Sequence, residues 1–473
     1  MDSKALAQNT AIQITARALI TIIGVVTVGI MTRYLGTTGY GQFTIALSFL
    51  SIFAVIVDFG LTLTTTQMIS EKLADEKRLL SNLISLRIIS GIIFLSLAPL
   101  AALLFPYEQV VLIAIAVGAV SYLFGTTSQM FIGVFQKRLV IGRAMVAEII
   151  NRLLVLIGII AAPFFGWGVV GIMWLLVIGN GAQLLIVLLL SRRLIRFGIT
   201  VEWAFWKKII SRSWPIGASI FFNLIYLRGD IVFLSLFRSD AEVGIYGAAY
   251  KVIDVMTSIP VMFMGLLLPM LVAAWTASNK KLFRDTMQRA FDFLSLLALP
   301  MILGSIVIGV PLMTLIAGAD FAESGEVLAI LGPAGALVFW GSLFGHAIVG
   351  VNKQRVMTWG YAAVAVLTIA GYIIFIPAHG MWAAAWLTLF SELLIGIVTA
   401  TVVMRVGGFR PRFGMVLRGL IASIIMAVVL IMLPTQNAII LLPAGILIYG
   451  IIIPLIGGPG PRDIIKLLKP ENV

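Results

Sequence analysis

The chain has 473 residues, of which 61% are hydrophobic and only 11% charged, with a mean hydropathy of +1.10. No soluble domain of this length has that composition; it is that of a polytopic helical membrane protein. Cysteine is absent and histidine occurs only at His346 and His379, which excludes disulfides, thiolate metal sites and cysteine nucleophiles.

About fourteen apolar stretches reach spanning length. They fall at 9–32, 42–67, 80–104, 109–134, 144–164, 169–190, 213–237, 245–273, 287–316, 327–351, 356–377, 381–404, 415–434 and 439–457. The net charge of +13 is distributed unevenly. Odd-numbered loops hold only Arg33 and Arg238, and Arg17, Arg87, Arg152, Arg228 and Lys251 lie within spans. The remaining Lys and Arg gather in the even-numbered loops and near the termini. That asymmetry is the positive-inside pattern, and it predicts that both termini face the cytoplasm. The basicity is then topological and requires no nucleic-acid partner. The first span is too long for a cleaved leader, and Arg17 interrupts it.

Residues 33–41 (RYLGTTGYG) read as a tight external hairpin between the first two spans. Residues 238–247 (RSDAEVGIYG) repeat its arginine-to-glycine spacing before the eighth span. GVFQKR (133–138) after span four returns as GVNKQR (350–355) after span ten. Gly168 with Trp174 returns as Gly380 with Trp386, and the basic loop 71–78 returns as 279–284. Correspondences in this order describe a parallel repeat about an axis along the membrane normal. The expected organisation is an N-terminal six-helix lobe (1–190), a cytoplasmic linker (191–212) and a second six-helix lobe (213–405). An extra helix pair (415–457) and a basic tail (458–473) follow. The linker alternates basic residues with Trp203, Phe205 and Trp206, as expected of a tether lying in the membrane interface.

Span seven carries Arg228 and Asp230 inside an apolar run, where a charge costs roughly 2.5–3.5 kcal/mol at the bilayer centre. Ser219, Asn223, Tyr226 and Asp230 share one helix face, and Arg228 lies about 200° round the helix from Asp230. Similar polar stripes run along span one (Asn9, Gln13, Arg17, Thr21), span two (Thr44, Ser48, Ser51, Asp58, Thr62) and span eight (Tyr246, Tyr250, Asp254, Thr257). Four stripes on equivalent helices argue for one central polar cavity. Arg17, Arg228 and Lys251, backed by Arg87 and Arg152, are the candidate cations for an anionic substrate, since arginine offers forked donors suited to phosphate. Asn9, Gln13, Ser48, Asn223, Tyr226 and Tyr250 are candidate polar lining. Asp58, Asp230, Asp254 and Glu392 are candidates for coupling to a proton or a sodium ion.

The same charges also have structural readings. Arg17 is level with Asp58, Arg228 with Asp254, and Asp230 with Lys251, so Arg17–Asp58 and one of the later pairs can neutralise each other. Glu148 and Arg152 are one turn apart and suited to pair, and Arg87 is placed to snorkel. No phosphate-binding GxxxxGK[ST] loop, HExxH motif or exposed carboxylate pair is present. No cofactor is expected.

The run at 31–61 (MTRYLGTTGYGQFTIALSFLSIFAVIVDFGL), the VGIYGAAYKV run at 243–252 and the two GV-x-x-x-R loops resemble the polysaccharide transporter and oligosaccharide flippase family. That family belongs to the multidrug/oligosaccharidyl-lipid/polysaccharide exporter superfamily. The resemblance covers roughly residues 5–405. It implies two lobes around a cavity lined by spans one, two, seven and eight, alternating access, and movement of polyprenyl-diphosphate-linked oligosaccharide from the inner to the outer leaflet. The extra pair resembles that of fourteen-helix lipid II flippases. The expected setting is a prokaryotic plasma membrane, with membrane lipids, glycan polymerases or glycosyltransferases as neighbours and a monomeric state. Alternatives are a cation antiporter for multidrug export on the same fold, whose cavity would be acidic or apolar, and a glycan polymerase or ligase, which would need a sizeable exterior loop.

Overall fold

The structure is a computed structural model that describes residues 3–70, 75–138 and 140–459, and no strand occurs among them. The helices are α1 (Ser3–Asp58), α2 (Leu61–Ser70), α3 (Glu76–Ala102), α4 (Gln109–Gln129), α5 (Ile132–Lys137), α6 (Ile141–Phe165), α7 (Val169–Arg192) and α8 (Trp203–Phe237). They continue with α9 (Asp240–Thr276), α10 (Lys280–Ala317), α11 (Ala322–Gly350), α12 (Gln354–Gly407), α13 (Gly414–Met432) and α14 (Ala438–Leu455).

Eleven helical stretches among the described residues are long and apolar enough to cross a membrane. Two of them are double. The chain turns at Gly36 (φ 67°) inside α1 and at Gly380 (φ 54°) inside α12, a left-handed conformation that glycine adopts without a Cβ penalty. Counting those two twice gives thirteen stretches of spanning length, and α8, with 35 residues, holds the expected seventh span, 213–237. The all-helical membrane fold expected from the sequence is therefore present. The expected second span, 42–67, is not continuous. It breaks at Phe59 (φ 34°) and Gly60 (φ 77°), between α1 and α2.

The chain divides into two compact units, residues 1–244 and 245–473. In the first, α4 packs on α7, α6 on α7 and α1, and α8 on α1 and α2. A dense apolar cluster closes one end of this unit: Leu80 and Leu83 of α3, Phe131, Phe135 of α5, and Trp206 and Ile209 of α8. Trp206 is buried, whereas Trp203 stays exposed. The aromatic strip read as interfacial is thus partly a core element.

The linker is not a loose tether. Backbone N–H groups of Gly198, Thr200 and Glu202 donate to Ser81 Oγ (3.0 Å), Ser85 Oγ (2.9 Å) and Asn82 Oδ1 (2.9 Å) on α3. Alternate residues of an extended strand face the same way, so 198, 200 and 202 all reach one helix face. Arg78 clamps Glu202 with Nε (3.0 Å) and Nη2 and lies over the Phe205 ring at 5.2 Å. The hydrogen bonds from Arg78 first, and then Asn82, hold the Glu202 carboxyl below its ordinary value of 4.5. A depressed folded value means that the clamp contributes fully above that ordinary value and is lost as pH falls through the lower folded one. Thermal midpoints scanned from pH 7 to pH 3 are expected to fall more steeply at the acid end for wild type than for Glu202→Gln; parallel curves would refute the clamp.

In the second unit α10 packs on α11, and α11 on α12. The extra pair is anchored here: α13 lies against α10 and α14 against α13. Leu296, Ala422 and Ile453 form one buried contact and Ile308, Met426, Leu430 and Leu441 another. Tyr449 donates to the Leu296 carbonyl at 2.8 Å. The opposite side of α13 leaves Leu417, Ile421 and Ile424 exposed, as a face in contact with lipid would be.

Candidate functional site

The break between α1 and α2 assembles the most unusual polar cluster of the first unit. Asp58 ends α1, and its carboxylate accepts from the Gly60 backbone N–H (3.2 Å) and from Thr62 Oγ1. Arg87, one helix over on α3, donates from Nη2 to Asp58 Oδ1 and to Thr62 Oγ1 (2.9 Å). Arg87 is fully buried, while the Asp58 side chain is 22% exposed. No protein atom accepts from Arg87 Nε or Nη1 among the described residues. The snorkelling expected of Arg87 does not occur: it points into protein because Asp58 is there to neutralise it. An unpaired ion at that depth is costly, so each partner fixes the other.

The broken backbone presses against α8. A Cβ on Gly217 would lie 2.5 Å from the Phe59 carbonyl oxygen, and Trp214 packs on Phe59 with ring centroids 6.3 Å apart. Only a residue without a side chain lets α8 approach that closely.

Arg17 pairs with Glu148 of α6 at 3.3 Å. Both sequence expectations for these charges are thereby corrected. Asp58 belongs to Arg87 rather than to Arg17, and Glu148 reaches across to α1 rather than to Arg152 on its own helix. Arg152 is exposed, beside the buried Asn151. Asn151 Nδ2 donates to Asn180 Oδ1 (2.9 Å) and Gln183 Oε1 (2.6 Å), and Asn180 Nδ2 to Ser121 Oγ (2.8 Å). This network joins α4, α6 and α7. It was missed in the sequence, although three amides in apolar spans are its signal.

Of the span-seven residues, Arg228 and Asn223 are half-buried and Asp230 is buried. Ser48 is buried and Gln13 half-buried. The side chains of Asn9 and Tyr226 lie outside the described residues. In the second unit Lys251 pairs with Asp254 at 3.5 Å, three residues along the same helix. Tyr250 is buried, with its ring 5.4 Å from that of Tyr246. Tyr246 shares a 3.3 Å hydrogen bond with Thr388, and Glu392, on the same helix as Thr388, is buried. No group of three or more metal-ligating side chains occurs among the described residues.

The two hairpins that share the arginine-to-glycine spacing meet inside the first unit. A Cβ on Gly41 would fall within the Asp240 carbonyl, and one on Gly244 within the Thr37 carbonyl. Glycines at these points allow the two backbones to touch.

Residues 6–275, more than half of the chain, match the family described as polysaccharide biosynthesis protein. The chain belongs to that family. No curated protein sequence matches it. Among solved structures, lipid II flippase MurJ in an inward closed conformation aligns with a TM-score of 0.80 at 14% identity, over 95% of this chain and 99% of that one. An inward-facing multidrug resistance MATE family transporter of the MOP superfamily aligns with a TM-score of 0.66 at 14% identity, over 82% and 95%. The Vibrio cholerae MATE transporter VcmN gives 0.56 at 15% identity, over 85% and 98%. This member of the polysaccharide biosynthesis family therefore has the fold of these solved membrane transporters.

Proposed function

We propose that the protein is a flippase carrying polyprenyl-diphosphate-linked oligosaccharide from the inner to the outer leaflet of a prokaryotic plasma membrane by alternating access. The observation that carries this reading is the alignment over nearly all of both chains with a lipid II flippase, an overlap too complete to omit both α13 and α14. Membership of a polysaccharide biosynthesis family points to the same substrate class. Both termini lie in the cytoplasm on the distribution of Lys and Arg.

The cations divide by what holds them. Arg87 is locked to Asp58 and serves the break in span two, whereas Arg17 is half-exposed beside Glu148 and Arg152 is exposed. Arg17, Arg152, Arg228 and Lys251 are the cations proposed to meet the diphosphate. Asp58, already holding three donors, is a poor carrier for a coupling ion; Asp230, Asp254 and Glu392 remain the coupling groups. Moving one net charge across the field changes the energy by about 2.3 kcal/mol per 100 mV, so flipping is expected to respond to membrane potential.

Export of organic cations on the same fold is the competing reading, because MATE transporters align too. Proteoliposomes supplied in parallel with a fluorescent polyprenyl-diphosphate glycan and a fluorescent organic cation separate the two. The flippase reading expects movement of the glycan lipid alone; gradient-driven movement of the cation alone overturns it.

A further inference from the structure

At one end of the second unit, a cavity of about 550 Å³ is lined by Arg284, Asp285 and Gln288 of α10 and by Met404, Gly408, Phe409, Arg410 and Arg412 at the end of α12 and beyond. Three guanidiniums thus face one acidic side chain. All three arginines are exposed; among the described residues none of them lies within ion-pair distance of a carboxylate, and Asp292 acts on Arg412 only through its field.

The loop that presents two of these arginines is fixed in place. Gly408 (φ 64°) terminates α12 in the left-handed conformation, with its N–H on the Met404 carbonyl at 3.1 Å. Phe409, 1% exposed, packs its ring 6.5 Å from both Phe291 and Phe344, and Phe413 lies 5.9 Å from Phe291. Between these aromatic anchors, Gln288 bonds the Arg412 backbone twice, accepting from its N–H at 2.8 Å and donating to its carbonyl at 3.0 Å. The Gln288 amide also donates to Asp292 at 2.8 Å, which orients it. Arg410 and Arg412 are therefore held on a pinned loop against Arg284. This is the preorganisation that anion binding needs, because little loop entropy remains to be lost.

We infer that this pocket binds a phosphate-bearing anion through Arg284, Arg410 and Arg412. Planar guanidiniums make forked, charge-assisted bonds to phosphate oxygens. The pocket lies where α10 leaves its cap and α12 hands over to α13. Beside it, Phe413 (62% exposed) and Leu417 (59% exposed) continue as an apolar face along α13. A phosphate that is the headgroup of a membrane lipid fits both features, its chains lying on α13. A free diphosphate fits the guanidiniums alone.

The test uses the whole protein in a zwitterionic detergent and measures binding of a short-chain phosphatidylglycerol and, separately, of inorganic diphosphate. Wild type is compared with R284Q/R410Q/R412Q and with a control of equal charge change outside the pocket, K280Q/K281Q/R405Q. Helical content and the unliganded thermal midpoint verify that both variants fold. Guanidinium bonds to phosphate are charge-assisted and stronger than neutral ones, so the pocket variant should bind at least about tenfold more weakly while the control stays within about twofold of wild type. Loss of phosphatidylglycerol binding alone assigns the site to a lipid headgroup, and loss of diphosphate binding assigns it to a phosphate group free of lipid. Failure of both probes to bind wild type, or equal weakening in both variants, overturns the inference.

Discussion

Asp58→Ala is expected to destabilise the protein by about 3–5 kcal/mol, because removing one member of a buried pair leaves the other charge uncompensated. The survivor is Arg87, fully buried on α3, and Thr62 alone is then left to accept from it. The reverse change, Arg87→Met, should cost less, since the Asp58 side chain is 22% exposed and keeps its bonds to Gly60 and Thr62. Replacing both, as Asp58→Ala with Arg87→Met, should restore part of the loss, as apolar substitutes for buried ion pairs often do. Unfolding titrations of the three variants in mixed micelles form the cycle. Additive losses from the two single changes would show that the residues do not act as a pair.

Gly41→Ala is the second large effect. Its Cβ would meet the backbone carbonyl of Asp240 rather than a side chain able to move aside. Overpacking of this kind costs typically about 1–3 kcal/mol. Gly24 supplies the internal control: it lies on the arm of α1 before the Gly36 turn, and a Cβ there would meet nothing within 4 Å. Gly24→Ala should therefore be neutral or stabilise by about 0.5–1 kcal/mol, the usual gain of alanine over glycine inside a helix. If the two substitutions had the same effect, the hairpin tips would not be in contact.

The sequence revealed what depends on periodicity and composition. The long apolar helices, the turn at the first hairpin and the turn at Gly380 all follow from apolar runs punctuated by glycine. The family was legible in the hairpin motif and the residues flanking it. Partner choice was not. Depth along a span places Arg17 level with Asp58, but rotation about each helix axis and the packing of α1, α3 and α6 decide which charges meet. Those packings gave Asp58 to Arg87 and Glu148 to Arg17.

The break after Asp58 was hidden for a different reason. Gly60 alone signals a tolerated helical glycine; it is Asp58 bonding the Gly60 N–H that stops the helix, and Phe59 takes a positive φ that its type disfavours. The zipping of the linker onto α3 has a sequence signal in retrospect. Ser81, Asn82 and Ser85 open an otherwise apolar span, and an alternating GITVE follows the basic stretch of the linker.

The central claim is that a lipid-linked, anionic glycan crosses the membrane on this protein with the help of cations in the spans. The most direct measurement is the rate at which reconstituted protein flips a fluorescent polyprenyl-diphosphate oligosaccharide, comparing wild type with Arg17→Ala and Arg228→Ala at matched folding and incorporation. The account predicts flipping by wild type and a loss of at least about tenfold in Arg228→Ala and in Arg17→Ala, the scale of a charge-assisted hydrogen bond to phosphate. Equal flipping by all three proteins would leave those arginines as structural partners and contradict the cationic route, and no flipping by wild type would contradict the assignment itself.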